Sequence, residues 1–129
     1  MNPKILIVDD EPDITHAVRL TLSIFQPTWD VIEAYDGATA LTKIIAERPN
    51  LVLLDLAMPE MDGFETLHRL RQFSAIPVII FSAKDEATYK ERTLAEGAND
   101  FLSKTVSPNH FVEVIRKLLP VDSQVEQKV

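Results

Sequence analysis

Four short apolar runs, each closing on a side chain suited to ion or phosphate chemistry, constrain this chain more than any other feature. Lys4-Ile5-Leu6-Ile7-Val8 ends in Asp9-Asp10, Leu51-Val52-Leu53-Leu54 in Asp55, Pro77-Val78-Ile79-Ile80-Phe81 in Ser82, and Asp100-Phe101-Leu102 in Ser103-Lys104. Such continuous runs are what parallel strands covered on both faces require, because neither side of them meets water. A shorter strand is expected over Trp29 to Ala34. Helical patterns fill the intervals. From Pro12 to Phe25, residues Ile14, Ala17, Val18, Thr21, Leu22 and Phe25 recur at helical spacing, with Pro12 in the first turn. Further helices are expected from about Ala38 to Glu47, after the Asp36-Gly37 turn, and from Phe64 to about Gln72, after the loop Met58 to Gly63. A fourth runs from Glu86 to Glu96 and closes at Gly97. The last is capped by Ser107, starts at Pro108, and carries Phe111, Ile115 and Leu118 on one face. Five strand-then-helix units imply an α/β fold, a parallel sheet with helices on both faces, since such crossovers are right-handed.

With 129 residues, 46% of them apolar, the chain has material for one packed core and not for two. A single domain over residues 1–120 is expected, with 121–129 as a polar tail or linker stub. No apolar run reaches the roughly eighteen residues of a membrane span, and Met1-Asn2-Pro3-Lys4 leads straight into a strand pattern rather than a signal-peptide core. A cytoplasmic location without membrane attachment is the expectation. The absence of cysteine excludes disulfides and thiolate metal sites. A formal charge of −7 argues against direct nucleic-acid binding, which depends on clustered Lys and Arg.

In sheets of this kind ligands bind at the carboxyl ends of the strands, where strand order reverses. Asp9, Asp10, Asp55, Ser82 and Lys104 all occupy such ends. Three carboxylates gathered at the edge of a low-dielectric sheet must protonate or recruit a cation. All-oxygen ligation with no His or Cys nearby in sequence suits Mg²⁺ better than Zn²⁺. With that ion in place Asp55 is equipped to act as a nucleophile toward a phosphoryl group, Lys104 to neutralise spreading charge, and Ser82 to donate a hydroxyl. No residue stands out as a base that would activate hydrolytic water.

Taken in order, Asp9-Asp10, Leu51 to Asp55, the loop Leu56-Ala57-Met58-Pro59-Glu60-Met61-Asp62-Gly63, Ile76 to Ala83 and Gly97-Ala98-Asn99-Asp100-Phe101-Leu102-Ser103-Lys104 resemble the receiver domains of two-component response regulators, including the chemotaxis type. The likeness covers roughly residues 3 to 119. It implies a flavodoxin-like sheet of strand order 2-1-3-4-5. It implies that Asp55 is the phosphorylation site, that Asp10, Asp55 and the Ala57 carbonyl contact Mg²⁺ with Asp9 acting mainly through water, and that Lys104 pairs with the phosphoryl group. Ser82 matches the switch hydroxyl and Phe101 its aromatic rotamer partner. A histidine kinase or phosphotransfer protein would be the donor. A downstream effector or output domain would read the state through a face of the fourth helix, fifth strand and fifth helix, which also serves for homodimers. Tyr89, Lys90, Arg92, Asp100, Val112 and Arg116 are the candidates for that face. Self-catalysed phosphorylation and dephosphorylation would be the only chemistry; a metabolic enzyme is not expected.

One position departs from the family pattern. Lys104 is followed by Thr105 rather than proline, so either a trans bond with a shifted loop or a strained cis bond is expected there. That departure is what favours the alternative, a phosphorylation-independent receiver-like interaction module. A third reading, a hydrolase with an aspartyl-phosphate intermediate, lacks its second Asp because Ala57 stands two residues beyond Asp55. Ala57 and Lys84 occupy the positions that tune phosphoryl lifetime in the family. His16, His68 and His110 fall on separate helices without ligand spacing and are read as surface residues, Trp29 as a packing residue, and Asp62 as serving the loop before Gly63.

Overall fold

A computed structural model describes residues 2–83 and 87–119. Strands β1 (Lys4–Val8), β2 (Asp30–Ala34), β3 (Leu51–Leu54), β4 (Val78–Ser82) and β5 (Asp100–Ser103) alternate with helices α1 (Pro12–Phe25), α2 (Gly37–Glu47), α3 (Gly63–Arg71), α4 (Ala87–Ala95) and α5 (Pro108–Leu118). All pairings are parallel and the order is β2-β1-β3-β4-β5, as the resemblance implies. The expected start of the fourth helix at Glu86, Lys84, and the tail 121–129 lie outside the described residues.

The continuous apolar runs divide between two cores by strand alternation. Ile5, Ile7, Leu53, Ile79, Phe81 and Leu102 face α1 and α5, where Val18, Leu22, Phe111, Val112 and Ile115 meet them. Leu6, Val8, Val52, Leu54, Ile80 and Phe101 face the other way, onto Ala40, Ile44, Leu67 and Leu70 of α2 and α3. A fully buried Leu or Ile contributes about 1.5–3 kcal/mol relative to exposure, so the central strands β1 and β3 anchor both layers.

Element ends differ slightly from expectation, each for a local reason. Helices α2 and α3 begin at the glycines, because Asp36 and Asp62 cap them by accepting from Thr39 N at 2.7 Å and Glu65 N at 2.9 Å. Both Asp residues end turns and start helices at once. Strands β4 and β5 run one residue further, through Ser82 and Ser103, which pair in register, and β2 begins at Asp30, just after Trp29. In α1, Ala17 and Phe25 are exposed whereas Thr15 is buried, so the inward stripe is narrower than the apolar spacing implied. On α5, Val112 is buried and does not contribute to a surface. Gly97 ends the turn after α4 at φ 110°, a conformation that favours glycine.

Candidate functional site

Strand order places the reversal between β2 and β3 on either side of β1, and the crevice opens above the ends of β1 and β3. Val8 lies opposite Leu54, and the next residues continue that register: Asp55 N donates to Val8 O at 3.0 Å and Asp9 N to Ala34 O at 3.1 Å. Backbone pairing therefore sets Asp9 and Asp55 side by side before any side-chain interaction is counted. Across the sheet, Lys104 N donates to Ser82 O at 2.9 Å, so the end of β5 is tied to the end of β4.

Ligand-capable oxygens of Asp9, Asp10 and Asp55 lie within 4.8 Å of one another. Asp9 and Asp55 are 2% and 4% exposed, while Asp10 is half-buried. Lys104 Nζ reaches Asp9 Oδ2 at 2.6 Å and Asp55 Oδ2 at 3.5 Å. All peptide bonds among the described residues are trans, including Lys104–Thr105. The trans bond thus leaves Lys104 within reach of both acids. The other oxygen of Asp9 accepts from Glu11 N at 3.0 Å, so Asp9 also shapes the turn into α1.

Three carboxylates face one ammonium, and the charge is not balanced. Burial first, then the Asp9 charge, push the Asp55 carboxyl up to about 6, against the pull of Lys104 and of the Ala57 backbone amide that donates to it. Burial alone would lower the Lys104 ammonium, but Asp9 and Asp55 together hold it above the ordinary lysine value. An all-oxygen, net negative, largely dry cluster fits a hard divalent cation such as Mg²⁺. Among the described residues, Asp9, Asp10 and Asp55 are the carboxylates grouped closely enough to hold it.

Ser82 is 1% exposed at the end of β4, and Phe101 of β5 is 8% exposed, its ring packed within the core that faces α2 and α3. The expected rotamer partner is therefore turned inward. The loop after Asp55 buries Leu56 and Met58 and exposes Ala57. It is closed by Gly63, whose N donates to Leu56 O at 2.9 Å. A Cβ on Gly63 would stand 2.2 Å from the Asp55 carbonyl oxygen, so only glycine lets α3 start this close to the end of β3.

Of the residues expected on the output face, Val112 is buried in the core and leaves that set. Arg92 lies over the Phe64 ring of α3 at 3.8 Å while staying exposed, and the half-buried Tyr89 ring is tilted against the same ring. Lys90 is exposed, and Asp100 and Arg116 are half-buried. His16, His68 and His110 are exposed. Sequence reasoning missed Glu33, a buried carboxylate on β2 that accepts from Thr15 Oγ1 (2.9 Å), Arg19 Nε (2.6 Å) and Tyr35 OH (2.5 Å). The available signal was a charged residue two positions after buried Val31, on the strand face turned to α1.

A family model described as the response regulator receiver domain matches residues 5–116. Among curated relatives, the alkaline phosphatase synthesis transcriptional regulatory protein PhoP of Bacillus subtilis is 38% identical over 120 residues, covering 92% of this chain and 49% of that protein. Response regulator GtcR of Aneurinibacillus migulanus is 40% identical over 119 residues, covering 92% and 48%. The chain spans about half the length of these relatives. Among solved structures, the Vibrio cholerae chemotaxis protein CheY4 superposes with a TM-score of 0.83 at 29% identity, over 92% of this chain and all of that one. The BeF3-activated N-terminal receiver domain of Klebsiella pneumoniae RstA gives 0.83 at 29%, over 88% and 95%.

Proposed function

This chain belongs to the response-regulator receiver family of two-component signalling, and we propose that within it Asp55 accepts a phosphoryl group from a histidine kinase or phosphotransfer protein. The observation that carries the reading is the Asp55 carboxylate itself, buried at a strand end within 4.8 Å of Asp9 and Asp10 oxygens and 3.5 Å from Lys104 Nζ.

In the proposed reaction an Asp55 oxygen attacks the donor phosphorus, and the phosphorus–nitrogen bond of a phosphohistidine breaks as the new phosphorus–oxygen bond forms. Positioning and charge neutralisation do most of the work in such a transfer. Asp10, Asp55 and the Ala57 carbonyl, with Asp9 acting through water, would hold Mg²⁺, which when bound offsets the charge of the phosphoryl oxygens. Lys104, drawn into the crevice by Asp9, supplies a second positive charge from the opposite strand. With its carboxyl raised to about 6, Asp55 in the metal-free protein is mostly ionised, and so nucleophilic, at neutral pH, and a bound cation would favour the carboxylate further. Ser82, at the end of β4, is placed to donate to a phosphoryl oxygen; moving toward it would bias an existing two-state equilibrium together with Phe101.

Through α4, β5 and α5 the state would pass to an output segment or partner, in a cytoplasmic setting. Transcriptional regulation is named for several of the relatives and comes to this chain only as the kind of output such a switch can drive. Lys104, though followed by Thr105, lies within ion-pair distance of both Asp9 and Asp55, which supports the phosphate-accepting reading over a phosphate-independent module. The test is intact mass after incubation with Mg²⁺ and acetyl phosphate. A labile gain of one phosphoryl group that requires both Mg²⁺ and Asp55, and is lost in Asp55→Asn, is expected. A folded wild type that gains nothing would sink the reading.

A further inference from the structure

Helix α4 is held to the rest of the molecule in an unusual way. Its one fully buried residue is Thr93, whose hydroxyl is spent on the Tyr89 and Lys90 carbonyls of its own helix. Among the described residues, its side chains meet α3 at the Phe64 ring, and Tyr89 also packs against the core that faces α2 and α3. The Arg92 guanidinium sits 3.8 Å from the centroid of Phe64, and the Tyr89 ring lies 5.9 Å from the same ring at 40°. Cation–π and tilted aromatic contacts are directional, so Phe64, together with the core against which Tyr89 packs, helps to set where Tyr89 stands.

Phe64 is in turn fixed relative to Asp55. It follows Gly63, which is packed against the Asp55 carbonyl, and Asp62, which caps α3. A cleft of about 230 Å³ lies along this segment, lined by Leu56, Ala57, Met58, Asp62 and Phe64, with Tyr89 facing them from α4. The cleft has room for several water molecules. Exposed Ala57, whose amide donates to the Asp55 carboxylate, borders it with only a methyl group.

We propose that Tyr89, held by Phe64 and Arg92, is a positioning residue that limits water in the cleft beside the acceptor loop and so prolongs the phosphorylated state. The inference rests on Asp55 being the acceptor. In hydrolysis the water oxygen bonds to phosphorus while the phosphorus bond to the Asp55 oxygen breaks. The carboxylate is regenerated, and the water's protons go to inorganic phosphate and solvent. The Tyr89 ring touches neither phosphorus nor water in flight; it sets how many waters stand near the reacting atoms. Its effect therefore falls on decay, not on loading.

The full chain is loaded with acetyl phosphate and Mg²⁺, freed of donor by rapid desalting, and followed by intact mass as wild type, Tyr89→Ala, Tyr89→Phe and Arg92→Ala. Decay about three- to tenfold faster is expected in Tyr89→Ala, with a smaller acceleration in Arg92→Ala and the wild-type lifetime in Tyr89→Phe, which keeps the ring. Arg92 is exposed, so Arg92→Ala reports even where Tyr89→Ala does not fold. Wild-type lifetimes in both alanine variants, or a Tyr89→Phe that decays as fast as Tyr89→Ala, would overturn the proposal while leaving Asp55 as acceptor. A wild type that never loads would instead overturn the acceptor reading and this inference with it.

Discussion

Burial and the neighbouring Asp9 carboxylate raise Asp55 from an ordinary value near 3.8 to about 6, and this has a cost in the metal-free protein. A carboxyl whose folded value lies above its unfolded one binds its proton more tightly when folded. Its stabilising contribution is therefore present below about pH 3.8, declines as pH rises to about 6, and is gone above that. At pH 7.5 without Mg²⁺, Asp55→Asn is expected to be more stable than wild type by about 1–3 kcal/mol in urea unfolding, with the gap closing near pH 4. Added Mg²⁺ should stabilise wild type more than the variant. Equal stabilities at pH 7.5 would mean that Lys104 already offsets the charge.

Glu33 shows the opposite sign. Burial pushes its carboxyl up, but hydrogen bonds from Tyr35, Arg19 and Thr15 outweigh that and hold it at about 2, below the ordinary 4.5. Its contribution is present above about pH 4.5 and is lost as pH falls toward 2. Glu33→Gln is expected to cost about 1–3 kcal/mol at pH 7, with a difference from wild type that shrinks steadily below pH 4.5. A pH-independent difference would assign the loss to packing rather than charge.

At the scale of elements, the start of α3 is the tightest fit in the site. Gly63→Ala would place its methyl group 2.2 Å from the Asp55 carbonyl oxygen, and backbone on that side cannot step aside as a flexible side chain would. A loss of about 1–3 kcal/mol in unfolding free energy is expected, together with slower loading of Asp55. The glycine was visible in the sequence, but its reason was not, because the close approach arises only once β3 and α3 are packed. The strands were legible for a different reason: two-sided coverage leaves uninterrupted apolar runs, and the acids and Lys104 follow directly at their ends. What sequence could not supply was register between elements. Glu33 meets Thr15 and Arg19 only because β2 lies under α1, and Phe64 meets Tyr89 and Arg92 only because α3 and α4 lie side by side. Val112 was misplaced for a related reason. The core-facing stripe of α5 takes in Phe111, Val112, Val114 and Ile115, wider than the seam suggested by Phe111, Ile115 and Leu118.

Across the whole molecule, stability is distributed unevenly in a way that suits a switch. Helix α5 buries Phe111, Val112, Val114 and Ile115 against the sheet, and Phe111 stacks on Phe81 of β4 with centroids 4.9 Å apart. Helix α4, on the opposite core, fully buries Thr93 alone, and its other packing comes from half-buried Tyr89 against that core and the Phe64 ring and from exposed Arg92 over the same ring. Elements with few buried apolar contacts open locally at a fraction of the global unfolding free energy. Native-state hydrogen exchange of the unphosphorylated protein should therefore find the α4 amides exchanging at least about tenfold faster than those of α5, and insensitive to low urea, while α5 and the β1, β3 and β4 amides follow global unfolding. Matching protection in α4 and α5 would mean that α4 leaves its place only when the sheet unfolds. A signal passed through the proposed α4 face would then have to travel by side-chain rearrangement on a fixed helix rather than by movement of the helix itself.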